Sequence, residues 1–384
     1  MRVGLVTGEF PPMQGGVGDF SRQLALALAA RGVEVHIITD VRCAGSAFLP
    51  SSGAAFLVPV IKSWSFASLF RIRRLARELG LDLINIQYQA AAYGLSAPIH
   101  FLPDIAGLKT VVTFHDLRIP YLFPKAGRLR EAAVTHLARS ADGVIVTDPA
   151  DESELRRRGG VARLAQIPIG SNIAPALPAD FDRAEWRRRL GLTDADFLIG
   201  YFGFLNASKG GETLVRALAE LVGQGRRARL LLVGGPAGAS DPTDADYGDQ
   251  VDALARDLAV APFIQRTGFV AAGEVSAHLT ACDAIVLPYR DGVSFRRGSF
   301  MAALAHGCPI VSTRPAVPLP GLLDRQNIRL VPPDDPAACA AAIAEFMASP
   351  DLRQRLSEGA RALSAEFTWD KIARRTIEVF EAAS

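Results

Sequence analysis

Short apolar runs recur along this chain, each bounded by Gly, Pro or charged residues and most followed by a segment of helical make-up. That alternation is the strongest constraint on the fold, because strand–helix–strand order gives a mostly parallel sheet covered on both faces. In the first half the strand-like runs are Val3–Val6, Val33–Ile38, Phe56–Val60, Leu83–Ile86, Thr110–Phe114 and Gly143–Val146. Asp19 is placed to cap a helix from Phe20 to Arg31, ended by Gly32, and further helices are expected near 66–79, 92–106, 127–140 and 149–158. The rhythm breaks over 170–195, where Pro175, Pro178 and Asp180 precede a charged run, Glu185 to Arg189. It restarts with Phe197–Phe202, then a helix from Gly211 to Val222, then Leu230–Val233, Phe263–Gln265, Ala284–Leu287 and Pro309–Val311. Helices near 336–348, 350–365 and 369–382 close the chain.

The expectation is two α/β, Rossmann-like domains, 1–175 and 196–366, joined by a linker over 176–195. A chain of 384 residues is too long for one comfortable core and suits that division. No run of about 18 apolar residues marks a membrane span, and the start of the chain reads as a first strand rather than a signal peptide. The net charge of +2 gives no reason to expect nucleic acid as a partner. Cys43, Cys282, Cys308 and Cys339 are widely separated, with neither metal-ligand spacing nor a disulfide framework, which fits a reducing cytoplasm.

Four strand-to-helix loops carry residues suited to chemistry. Gly8 to Asp19 holds Gly15, Gly16 and Gly18, which let a ligand approach the main chain; a Gly-rich turn without ligand is the plainer reading. His115 and Asp116 end an apolar strand, where a histidine is placed to bond a substrate hydroxyl or move a proton, or simply to cap the strand. Gly203 to Gly211 brings Lys209 to a helix start, where an ammonium suits a phosphate, although most loop lysines are merely solvated. Tyr289 to Ser299 follows an apolar run, carries Arg290, Arg296 and Arg297, and precedes the Ala-rich helix at Phe300–Ala305; it reads either as an anion site or as a solvated arginine loop. The segment 66–77 is basic and amphipathic. It suits an anionic membrane surface, or a surface helix packed on the sheet.

In this order the pieces resemble retaining glycosyltransferases of the GT-B fold, especially glycosyltransferase family 4. The resemblance rests on Phe10-Pro11-Pro12 with Gly15-Gly16-Val17-Gly18, on His115-Asp116, and on Gly203 through Lys209-Gly210. Val233-Gly234-Gly235, Thr267-Gly268-Phe269-Val270, the run Ala303 to Val311, and Phe367-Thr368-Trp369 complete it. It implies two Rossmann-like domains facing across a cleft, with the C-terminal helix 367–384 crossing back to the first. It implies a nucleotide diphosphate sugar on the second domain, an unidentified sugar, lipid or small-molecule acceptor on the first, and retention without metal or other cofactor. His115, Asp116 and Lys209 would be the catalytic residues. Gly15, Gly16, Gly18, Gly203, Asp291, Ser294, Arg296, Arg297, Gly298 and Ser299 would line the donor.

The chain departs from the family in two places. The usual glutamate pair falls on Ser294 and Ala302, and Phe204 stands where an arginine often follows the glycine. An alanine cannot bond ribose hydroxyls, so the reading keeps two alternatives: a nucleotide-sugar epimerase or hydrolase using Glu9 and Asp116, and a non-catalytic nucleotide-sugar-binding relative. The expected location is the cytoplasm, with peripheral contact at the inner membrane face through 66–77.

Overall fold

The computed structural model describes residues 1–46, 53–117, 127–235 and 243–383. The chain divides into two compact units, Met1–Gly170 with Thr368–Ser384, and Ser171–Phe367.

The first unit holds seven parallel strands in the order β3-β2-β1-β4-β5-β6-β7. These are β1 (Arg2–Thr7), β2 (Glu34–Asp40), β3 (Ala55–Ile61), β4 (Leu83–Tyr88), β5 (Lys109–Phe114), β6 (Gly143–Val146) and β7 (Leu164–Gln166). Val3 of β1 pairs with Val35 on one side and Leu83 on the other. Every residue of β4 is buried, as expected for a central strand covered on both faces. The covering helices include α1 (Gly16–Ala30), α2 (Phe66–Glu78), α3 (Leu102–Ala106), α4 (Gly127–Ser140) and α5 (Pro149–Arg158). The helix expected over 92–106 is much shorter. Gly94 and Leu95 take positive φ values of 60° and 61°, so helix begins only with a 3-10 turn at Pro98–Phe101 that leads into α3.

The second unit holds six parallel strands in the order β10-β9-β8-β11-β12-β13. They are β8 (Phe197–Phe202), β9 (Ala228–Val233), β10 (Ile264–Gly268), β11 (Ala284–Leu287), β12 (Ile310–Thr313) and β13 (Arg329–Val331). Its helices are α6 (Arg183–Arg189), α7 (Gly211–Gly223), α8 (Thr243–Asp257), α9 (Ala272–Ala281), α10 (Gly298–Ala305), α11 (Pro336–Ala348) and α12 (Pro350–Ser364). The stretch expected as the linker, 176–195, contains α6, started by the Asp182 carboxylate accepting from the Glu185 N–H at 2.7 Å. Arg187 of α6 is buried and donates to Asp283 at 2.9 Å and to the carbonyls of Ala281 and Asp196, so this stretch is packed into the second unit.

The last helix, α13 (Trp369–Ala383), belongs to the first unit and buries Ile372, Ala373, Thr376 and Phe380. Arg31, which caps the end of α1, and Asp370 of α13 form a two-pronged ion pair at 3.0 and 2.9 Å. Among the described residues no helix is long and apolar enough to cross a membrane.

Candidate functional site

Each sheet has one point where the strand order reverses. In the first it lies between β1 and β4, and in the second between β8 and β11. Loops leaving the carboxyl ends of strands diverge there and open a crevice, the usual ligand position in open parallel sheets. The Gly8–Gly15 loop follows β1, while Gly203–Gly210 and Pro288–Arg297 follow β8 and β11, so three of the four loops singled out in the sequence fall at reversal points.

In the second unit, Gly203 has φ 117°, a conformation L side chains rarely adopt. A Cβ there would stand 3.3 Å from Lys209 Nζ and 3.6 Å from Ser299 Cβ. Lys209 and Ser299 therefore converge on one glycine although they come from different loops. The Lys209 ammonium also lies 5.9 Å from the Phe204 ring centre. Ser299 is in the first turn of α10, whose N-cap residue, Arg297, makes no side-chain capping bond among the described residues. An uncapped helix start beside an ammonium attracts anions. Gly210, with φ 71°, lets the loop pass against the Pro288 carbonyl, which any Cβ would overlap.

The arginines of the opposite loop are not equivalent. Arg297 pairs with Asp291, donates to Ser208 Oγ at 3.4 Å, and lies 4.8 Å over the Tyr289 ring. Tyr289 is fully buried and its hydroxyl meets Ser299 Oγ at 2.7 Å. Arg297 and Asp291 thus stand as a braced pair beside Tyr289 and Ser208. Arg290 pairs with Asp334 at 2.9 Å. Ser294 Oγ is buried without a hydrogen-bond partner among the described residues, and Ala302 is fully buried in α10.

In the first unit the glycine loop has a different architecture from the one expected. Helix α1 starts at Gly16, not Phe20, and its cap is not Asp19, which lies in the first turn. The Glu9 carboxylate, arriving from upstream, accepts from the N–H groups of Val17 and Gly18 at 2.9 and 3.1 Å. Burial raises the Glu9 pKa, and the two N–H bonds oppose that rise. A Cβ at Gly15 would overlap this carboxylate, and one at Gly18 would press on the Phe10 backbone at 3.1 Å. Those two glycines are required by packing within the unit, whereas a Cβ on Gly16 would meet open space among the described residues.

His115 follows β5. Its Nε2 lies 2.8 Å from Gln87 Oε1, and its ring packs edge-to-face with Phe20 at 4.7 Å between centres, while Phe20 in turn packs on Trp369 at 5.2 Å. The residue is only partly buried, yet the ring sits deep enough that burial pushes its pKa down to about 3. A neutral imidazole can donate and accept hydrogen bonds to a ligand, but it lacks the second, acidic proton of an imidazolium that a general acid would give up. Asp116 follows it and is partly buried.

Sequence reasoning passed over Asn85 and Gln87, and took in Tyr289 and Ser208 only as members of their loops, with no role of their own. One signal was present: Asn85 and Gln87 alternate with Ile84 and Ile86, so both polar side chains fall on one face of a strand with no water to bond. Tyr289 and Ser208 carried no such signal.

A family model described as a glycosyl transferase 4-like domain matches residues 15–170, and one described as glycosyl transferases group 1 matches residues 196–349. The chain is similar to the D-inositol 3-phosphate glycosyltransferase of Streptomyces scabiei, with 25% identity over 96% of this chain and 86% of that protein. Among solved structures it resembles the sucrose-phosphate synthase of Thermosynechococcus elongatus, with TM-score 0.80, 23% identity and complete coverage of both chains. It also resembles Anabaena HepE, solved in complex with UDP and glucose, with TM-score 0.77, 21% identity and complete coverage of both chains.

Proposed function

This chain belongs to the GT-B glycosyltransferases of family 4 type, and from that premise we propose that it moves a sugar from a nucleotide diphosphate sugar to a separate acceptor. Transfer proceeds with retention, and protein groups rather than a metal offset the charge on the leaving diphosphate. The observation that carries this reading is the convergence of Lys209 and Ser299 on Gly203 at the uncapped start of α10. Charge accumulates on the diphosphate as the glycosidic bond breaks, and fixed positive groups aimed there lower the barrier without reorganising. The HepE complex with UDP and glucose supports this class of donor.

His115 contributes hydrogen bonding to the sugar. An epimerase or hydrolase would need Glu9 and Asp116 as its acid and base, and of these the Glu9 carboxylate is already engaged by two N–H groups of α1.

The reading extends to a peripheral membrane contact through 66–77 at the inner face of the membrane. Leu69, Ile72 and Ala76 of α2 are buried in the core, so packing on the sheet accounts for one face of the helix. The outward face still exposes Phe66 and Phe70, at 51% and 57%, beside Arg71, Arg74 and Arg77. Phe66 lies 5.8 Å from the exposed Phe101, which makes an aromatic patch of residues distant in sequence. Aromatic rings flanked by arginines fit an anionic lipid surface.

A thermal-shift screen of nucleotide diphosphates and their sugars tests the donor reading, since a ligand of the native state raises stability with occupancy. The expected result is a rise with one diphosphate series and sugar transfer from the same series. No shift with any of them overturns the reading.

A further inference from the structure

We infer that Asn85 and Gln87 are positioning residues that set which nitrogen of His115 carries the proton. The three side chains form a line on β4 and at the end of β5, and both amides are fully buried. The line is anchored at one end by a backbone carbonyl, a group that can only accept. Asn85 Nδ2 lies 3.2 Å from the Val111 carbonyl oxygen and 3.0 Å from Thr113 Oγ1.

That anchor fixes every later orientation. Turning the Asn85 amide over would set two acceptor oxygens against each other, so its NH2 must face Val111 and its Oδ1 must face Gln87. Gln87 then has to present its NH2 to Asn85 Oδ1, the contact the structure shows. The remaining Gln87 oxygen is the group 2.8 Å from the imidazole. An amide oxygen cannot donate, so His115 Nε2 carries the hydrogen and Nδ1 is left as the acceptor. A peptide carbonyl of β5, four residues before His115, therefore dictates the tautomer of a candidate site residue through two side chains of β4.

Burial keeps the ring neutral at ordinary pH and so keeps the tautomer question meaningful. The Phe20 edge contact holds the plane of the ring. On the glycosyltransferase reading, on which this last step rests, the outcome is a neutral acceptor nitrogen that takes a hydrogen bond from a sugar hydroxyl. The opposite tautomer would offer a donor and favour a different partner atom.

The test is nitrogen NMR on the full-length protein labelled at histidine, with His115→Gln used to assign the His115 signals. The expected wild-type spectrum shows a protonated Nε2 and an unprotonated Nδ1 at neutral pH. A protonated Nδ1, or an even mixture, overturns the inference, and only the assignment variant His115→Gln has to fold for this reading. Gln87→Met and Asn85→Leu are expected to mix the tautomers, whereas Gln87→Glu, which keeps an oxygen toward the ring, keeps Nε2 protonated. A single unchanged tautomer in both apolar variants also overturns it. No substrate enters these measurements, so failure of the transferase reading would show up separately, in the donor screen.

Discussion

His115 Nε2 and Gln87 Oε1 lie 2.8 Å apart, joining the end of β5 to the central strand β4 inside the first unit. The bond holds a histidine whose pKa burial lowers from 6.5 to about 3. Between those values the unfolded chain binds a proton that the folded chain refuses. The contribution of the neutral ring is therefore complete above pH 6.5 and is lost progressively as pH falls toward 3. We expect His115→Gln to reduce the steepness of the stability decline across that window. Chemical unfolding above pH 6.5 and midway to 3 checks it; equal declines in the two proteins would refute it.

Lys209→Ala should lower turnover by about 10²–10³-fold at saturating donor, the usual loss when one preorganised charge-stabilising group is removed. Its unfolding midpoint should stay close to wild type, because Lys209 ends a short 3-10 turn that contributes no buried residue to the core. Turnover within a few fold of wild type would remove the diphosphate role.

Glu9 separates two kinds of importance. Glu9→Ala strips α1 of the acceptor for the Val17 and Gly18 N–H groups and should cost about 1–3 kcal/mol. Glu9→Gln keeps an oxygen for both and loses the charge that burial disfavours, so it should unfold close to wild type. Equal losses in the two variants would mean that the negative charge, not the capping geometry, matters.

Asp283 accepts from Arg187 at 2.9 Å, from Arg183 at 2.7 Å and from the Leu198 N–H at 2.8 Å. Asp283→Ala leaves the buried Arg187 without its carboxylate and should cost about 3–5 kcal/mol, whereas Arg187→Met, which removes the buried charge, should cost less. Urea unfolding of both proteins decides the order; a smaller loss for Asp283→Ala would contradict it.

Replacing both Phe66 and Phe70 with Ser should weaken binding to anionic vesicles by tenfold or more, since burying one such ring is worth about 1.5–3 kcal/mol. Leu69 and Ile72 still hold α2 to the core, so helix content should not change. Co-sedimentation with anionic and zwitterionic vesicles reads this out, and wild-type protein that binds neither would dismiss the membrane contact.

The amino-acid sequence alone determined the two parallel sheets and the loops that carry polar groups, because strand and helix periodicity are properties of neighbouring residues. Val3–Val6, Thr110–Phe114 and Ala284–Leu287 lie within β1, β5 and β11. The three-residue edge strands β7 and β13 escaped it, since Leu164–Gln166 and Arg329–Val331 are too short to show a period. What the site residues do was decided by tertiary structure. The start of α1 depends on Glu9, eight residues before the N–H it meets. Arg297 is braced by Asp291, Ser208 and Tyr289, and nothing in its immediate sequence marks it for that role. The state of His115 is set from a neighbouring strand 28 residues away. A side chain's charge and hydrogen-bonding capacity are written in its identity, but how they are used depends on which groups the fold brings within about 3 Å and how far it shuts out water.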